Sequence, residues 1–279
     1  MKHIFPTYAQ YPMEIVSGHD WHLVDNQQKS YLDFTSGIGV CSFGYSNDKI
    51  EHSVLNQLGK IWHTSNLYPS QLQDDVANAL CPEGMLAFFC NSGTEANEAA
   101  FKLARKATGK GKVLAFNNGF HGRTYGSMSL TGNPDIQAGF KPLVPEVQFA
   151  DYNDPDALSA ITDDLAAVIL EVIQGEGGVV DGNGDWLKQV AAKCHEQGVL
   201  LIIDEVQTGI GRTGKNLPFR TLIWIRILSH VPKPLVTASR LGQCWVKSHW
   251  HRHLAPALTE QLLVAIKSPY HQPKLSLSS

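Results

Sequence analysis

Two stretches, residues 166–173 and 199–206, constrain this chain most. Both are apolar at odd and even positions alike until an acid arrives, Glu171 in the first and Asp204 in the second. A strand apolar on both sides belongs in a sheet covered on both faces, and such sheets are mostly parallel. Between the two, Trp186, Val190 and Cys194 recur at helical spacing, and Gly198 is placed to end that helix. The same alternation starts earlier. Ile50, Val54, Leu58 and Ile61 mark one helix, and Ser70 can cap another carrying Leu72, Val76 and Leu80. Residues 85–90 and 112–116 read as strands. Ser92 and Glu95 have capping-box spacing before a helix whose face is Ala96, Ala99, Ala100, Leu103, Ala104 and Ala107. The expected fold is α/β, a mostly parallel central sheet with flanking helices.

Composition narrows the function classes. Of 279 residues 43% are hydrophobic and 18% charged, which leaves out disordered and low-complexity chains. No apolar run approaches the ~20 residues that cross a bilayer, and the amino terminus has no signal-peptide apolar region. The five cysteines form no Cys-x-x-Cys pair, so a cytoplasmic protein without disulfide framework or metal site is expected. A net charge of −3 argues against nucleic acid, and no membrane partner is expected either.

Ligands of open parallel sheets bind beyond the carboxyl ends of the strands. Four polar clusters fall there. Asn91-Ser92-Gly93-Thr94-Glu95 opens a helix, where backbone N–H groups suit a phosphate; an ordinary N-cap is the plain alternative. Gly119-Phe120-His121-Gly122-Arg123 offers a ring to stack and a cation for a carboxylate, or simply a glycine-rich loop. In Glu171-Val172-Ile173-Gln174-Gly175-Glu176 the acids read most simply as caps. The fourth is Ile203-Asp204-Glu205-Val206-Gln207. An Asp ending a buried strand is costly unless a cation meets it, and a protonated pyridine nitrogen is one such cation. The nearby Gly209-Ile210-Gly211-Arg212-Thr213-Gly214 spells a dinucleotide fingerprint. It lacks the following helix and the acid about 20 residues on, so it is set aside.

In this order the clusters resemble the class III pyridoxal-phosphate-dependent aminotransferases, as do Ser36-Gly37-Ile38-Gly39-Val40 and Asn66-Leu67-Tyr68. The resemblance implies a type I pyridoxal-phosphate transferase fold. It also implies amino transfer from N-acetylornithine to 2-oxoglutarate through a Schiff base, and a homodimer with its site at the interface. Ser92, Gly93 and Thr94 would hold the phosphate of pyridoxal 5'-phosphate. Phe120 would stack on its ring, Asp204 pair with the ring nitrogen and Gln207 bond the ring hydroxyl. Arg123 would hold a substrate carboxylate, and Glu176 would switch between substrate and a partner arginine. Residues 1–50 would belong to the small domain and dimer contact, and 51–215 to the cofactor-binding domain.

Residues 216–279 depart from this pattern. They carry eight Lys and Arg against one acid, Glu260, and one glycine, Gly242. The Schiff-base lysine is expected near Lys233, but that residue stands in Val231-Pro232-Lys233-Pro234, outside any glycine-rich setting. Read two bases out of register, codons for Ile223-Trp224-Ile225-Arg226 permit Leu-Asp-Pro-Asp. Those for Val231-Pro232-Lys233-Pro234 permit Ala-Lys-Ala, both segments of the family. The segment is therefore expected to be an out-of-frame version of the family's carboxyl-terminal part, poorly packed, with the small domain missing. Its basic charge would then not mark a nucleic-acid arm, nor His249, His251 and His253 a metal site.

Overall fold

The computed structural model describes residues 3–80, 85–214, 227–231 and 242–247, the last two segments as backbone. The chain enters through an antiparallel three-stranded sheet, β1 (Ile15–His19), β2 (His22–Asp25) and β3 (Ser30–Leu32). An irregular turn, α1 (Ser36–Gly39), and two helices follow, α2 (Asp48–Leu58) and α3 (Gln71–Leu80). Next come β4 (Met85–Cys90), α4 (Gly93–Thr108), β5 (Lys112–Phe116), α5 (Tyr125–Leu130), α6 (Pro134–Gln137) and β6 (Val147–Ala150). The remainder is β7 (Leu165–Glu171), the pair β8 (Ile173–Gln174) and β9 (Val180–Asp181), α7 (Gly184–Gln197), β10 (Leu200–Asp204), β11 (Ile227–Val231) and β12 (Gly242–Lys247).

The central sheet has seven strands in the order β4-β12-β11-β10-β7-β5-β6. Strands β11, β10, β7, β5 and β6 pair in parallel, and β12 runs antiparallel to both of its neighbours. The chain therefore has the expected α/β class. Within residues 216–279, the segments 227–231 and 242–247 contribute backbone strands to this sheet. The physical reason lies in the edges. Without them β10 and β4 would each present a row of unpaired N–H and C=O groups, and β11 and β12 supply the partners.

Each strand divides its apolar side chains between two cores, as the period of two requires. Leu114, Phe116, Leu201 and Ile203 face α7, where Trp186, Leu187, Val190 and Cys194 meet them. Val113, Ala115, Leu200 and Ile202 face α4 and its Ala96, Ala100, Leu103 and Ala104. Phe116, Tyr152 and Trp186 stack edge to face, with centroids 5.0–5.9 Å apart. Helix α7 ends where foreseen, at Gly198 in the left-handed conformation. Helix α2 stops at Leu58, one turn short of Ile61.

The amino-terminal region is built differently. Among the described residues, 3–80 contribute no buried hydrophobic side chain. Phe5, Phe34 and Trp62 are 82%, 91% and 82% exposed. That segment holds its shape through polar ties. Asp25 accepts from the amides of Gln27 and Lys29 and from the Tyr31 hydroxyl, and Tyr45 donates to Asp33.

Candidate active site

Helix α4 begins against the end of β10. The Ser92 hydroxyl caps it by accepting from the Glu95 amide at 3.3 Å. The Glu95 carboxylate reaches back one residue farther than a capping box requires, to the Asn91 amide at 2.8 Å. The first turn therefore presents the Gly93 and Thr94 amides at the positive end of the helix dipole. Glycine is required at 93, because a Cβ there would lie 2.7 Å from both Val206 methyl groups. The Val206 amide donates to Asp204 Oδ1 at 2.9 Å. That local turn ends β10 at Asp204, where the apolar run alone suggested residue 206.

Asp204 is 4% exposed and forms the floor of the site. Its Oδ2 accepts from Asn97 Nδ2 at 2.8 Å and lies 2.9 Å from His121 Nδ1. Burial alone would lower the His121 pKa. The hydrogen bond and charge of Asp204, with the charge of Glu171, outweigh it and hold His121 above its ordinary value. The buried carboxylate thus has an imidazole partner, shifted toward its cationic form, and an amide partner, which is what makes its burial tolerable. Asn97 spends its second N–H on the His121 carbonyl at 2.7 Å. Its Oδ1 is buried with no partner among the described residues.

The loop after β5 crosses the same end of the sheet. Phe120 is half-buried, and its amide donates to Glu171 Oε2 at 2.9 Å. Gly122 has φ +127°, and a Cβ there would sit 2.2 Å from Thr94 Oγ1, so this crossing admits no side chain. Thr124 packs onto Thr94, their hydroxyl oxygens 2.8 Å apart. One carboxylate oxygen anchors the crossing. Glu98 Oε1 accepts from the Thr124 hydroxyl at 2.6 Å and from the Gly126 and Ser127 amides at 2.7 and 3.1 Å. It caps α5, whose own N-cap Thr124 makes no side-chain cap. Glu98→Ala is expected to cost about 1–3 kcal/mol, by stranding these donors, while Glu98→Gln keeps an acceptor oxygen and most of the stability. Urea unfolding of the two variants checks this, and equal losses would contradict the cap.

The structure brings Ser92, Gly93, Thr94, Phe120 and Asp204 to one end of the sheet. Gln207 Nε2 meets Glu176 Oε1 at 3.2 Å on the next loop over. Arg123 sits at the rim, exposed, bonding the Tyr8 hydroxyl at 2.9 Å. Lys233 lies outside the described residues. Gly209 to Gly214 form turns and open no helix. Ser36 to Gly39 form a left-handed turn that Arg212 grips through the Gly39 carbonyl. Residues 66–68 are exposed. Asn97 and His121, to which the sequence assigned no role, are central here, as is Glu171, read there as a cap. The signal for Asn97 was its place on α4 between Ala96 and Ala100; for the other two it was membership of clusters already singled out.

Comparison with known proteins fits this geometry. The class-III aminotransferase family profile matches residues 5–222. The chain belongs to that family. An acetylornithine aminotransferase of Lactiplantibacillus plantarum is 62% identical over 220 residues, 78% of this chain and 57% of the relative. One from Listeria innocua is 54% identical over 259 residues, 92% of this chain and 67% of the relative. The chain therefore spans about three-fifths to two-thirds of these class-III relatives. Among solved structures, an ornithine aminotransferase of Toxoplasma gondii, with pyridoxal phosphate partly occupying its active site, superposes with a TM-score of 0.82. Identity is 26%, covering 91% of this chain and 63% of that one. An N-acetylornithine aminotransferase of Stenotrophomonas maltophilia gives 0.75 at 28% identity, over 94% and 71%.

Proposed function

We propose that this pocket holds pyridoxal 5'-phosphate. We further propose that the protein, in its in-frame form, moves an amino group from N-acetylornithine to 2-oxoglutarate. The products are N-acetylglutamate semialdehyde and glutamate, a step of arginine biosynthesis. The observation that carries the reading is Asp204. It is a buried carboxylate at a strand end, at the same end of the sheet as a helix N-terminus and an aromatic ring. A phosphate anion suits Gly93 and Thr94, a cationic ring nitrogen suits Asp204, and Phe120 suits the flat ring between them. The donor set therefore fits the group. When bound, the cofactor supplies an electron sink for the reacting carbon.

The chain's own residues do the rest of the work. Ser92 keeps the first turn of α4 open toward the phosphate. Asn97 and His121 hold the Asp204 carboxylate in one orientation. Gln207 would bond the ring hydroxyl, and its amide, which donates to Glu176 Oε1, would keep that acid beside the substrate until a cation competes for it. Arg123, exposed at the rim and held there by Tyr8, would exchange that contact for a substrate carboxylate. Proton removal needs an amine held against the reacting carbon. Lys233 is the lysine assigned by position, and Pro232 and Pro234 on either side make it a poor candidate.

A cytoplasmic homodimer completes the proposal. Phe5, Phe34, Trp62 and Leu67 are exposed beyond what a lone chain in water tolerates, and a second copy would cover them. Sedimentation of the frame-restored chain should give a dimer. Its glutamate production should require both N-acetylornithine and 2-oxoglutarate. A stable monomer, or equal rates with ornithine, would overturn the dimer or the donor respectively.

A further inference from the structure

Glu171 is the buried acid that the proposed chemistry leaves unused. It ends β7, is 4% exposed and pairs in register with Asp204 at the end of β10. Its carboxylate does not cap its own strand. It accepts from the Phe120 amide at 2.9 Å, and the Gly175 amide also favours its charged form. Those amides belong to two separate loops. One carries Phe120, His121 and Arg123, and the other carries Glu176. Its backbone carbonyl is held as well, by the Tyr152 hydroxyl at 2.7 Å, so the residue is fixed at both ends. Gln174 adds a parallel tie between the same loops, donating to the Asn117 carbonyl at 2.9 Å.

We infer that Glu171 is a positioning residue whose buried carboxylate sets the separation of the Phe120 wall from the Glu176 loop. Asp204 and His121 hold one pole of the pocket, and Glu171 fixes the spacing of the two loops that flank it. The charged and titratable groups facing it are His121 on the loop after β5, Asp204 at the end of β10, and Tyr152 on the segment before β7. Burial pushes Glu171 up to about 7, with Asp204 adding to the rise and His121 opposing it. Near neutral pH the residue therefore passes between an anion that both amides favour and a neutral acid. Its pKa lies above the ordinary carboxyl value. Its contribution to global stability is therefore full at low pH and lost as pH rises through about 7. The two loop amides should respond in the opposite sense, tightening as the anion forms.

The experiment is hydrogen exchange on the full 279-residue chain without cofactor, corrected for intrinsic rates, between about pH 6 and 8. Protection in residues 119–123 and 174–178 is expected to rise with pH. In Glu171→Gln it is expected to drop about tenfold and lose its pH dependence, while α7 is unchanged. Unaltered protection in the variant would overturn the inference, and so would pH-independent protection of both loops in the wild type, which requires no variant to fold. The consequence for ligand binding rests on the cofactor reading. Pyridoxal 5'-phosphate should bind Glu171→Gln about tenfold more weakly. A wild type that binds none would refute the cofactor reading, and the exchange result would still decide the role of Glu171.

Discussion

Inserting or removing one base near codon 215 is expected to turn an inert chain into a transaminase. As written, the protein should give no glutamate above background from N-acetylornithine and 2-oxoglutarate. The repaired protein should turn over at an ordinary enzymatic rate, on the order of 1–10³ per second. The difference lies in the amine. A Schiff-base lysine must be held, partly desolvated, within bonding distance of one carbon. Lys233 lies between two prolines: Pro234 drives it toward extended backbone, and Pro232 lacks a backbone donor. In the shifted frame the same codons permit Ala-Lys-Ala, a small-residue setting of the kind such a lysine needs. Both forms would be assayed side by side. Activity in the unrepaired chain that disappears in Lys233→Ala would refute this account and make Lys233 the catalytic residue.

Asp204→Ala should have the next largest effect, and on two quantities. It removes the anion from His121, leaving a buried imidazole and the Asn97 amide without their shared partner. Breaking one side of such a pair costs about 3–5 kcal/mol of stability. His121→Ala in the Asp204→Ala background should then cost less than it does alone, with a coupling of about 1–3 kcal/mol. The pH dependence gives the sign. The His121 pKa is raised above 6.5, so its stabilisation is present in acid and lost as pH climbs through the raised value. Urea titrations at about pH 6 and 8 should show that loss in the wild type and a smaller one in Asp204→Ala, where Glu171 still titrates. In the frame-restored enzyme the same substitution should lower turnover by orders of magnitude, since the ring loses the anion that keeps its nitrogen protonated. A near-wild-type rate would end the assignment.

Much of the fold was legible because it is written in local pattern. The two-faced apolar runs gave β7 and β10, the spacing of Trp186, Val190 and Cys194 gave α7, and Gly198 marked its end. The order of polar clusters at strand ends was legible for the same reason. Local pattern could not show what long-range pairing decides. Asn97 meets Asp204 across 107 positions of sequence, and Phe120 meets Glu171 across 51. An acid after a strand reads as a cap until the loop it anchors is known. The strand places of residues 227–231 and 242–247 were equally hidden, because edge strands elsewhere in the sheet set the demand for them.

The cofactor assignment requires that Gly93, Phe120 and Asp204 together bound a pyridoxal 5'-phosphate site. The most direct measurement is an equilibrium titration of that cofactor into the full chain, beside Gly93→Val and Asp204→Ala. Visible absorbance would report the ligand and protein fluorescence its arrival. Saturable binding of one cofactor per chain is expected in the wild type. The Gly93→Val variant should bind none, because its side chain fills the crossing where even a Cβ would meet Val206 at 2.7 Å. The Asp204→Ala variant should bind more weakly by about two orders of magnitude. Equal binding by all three proteins, or none by the wild type, would contradict the assignment.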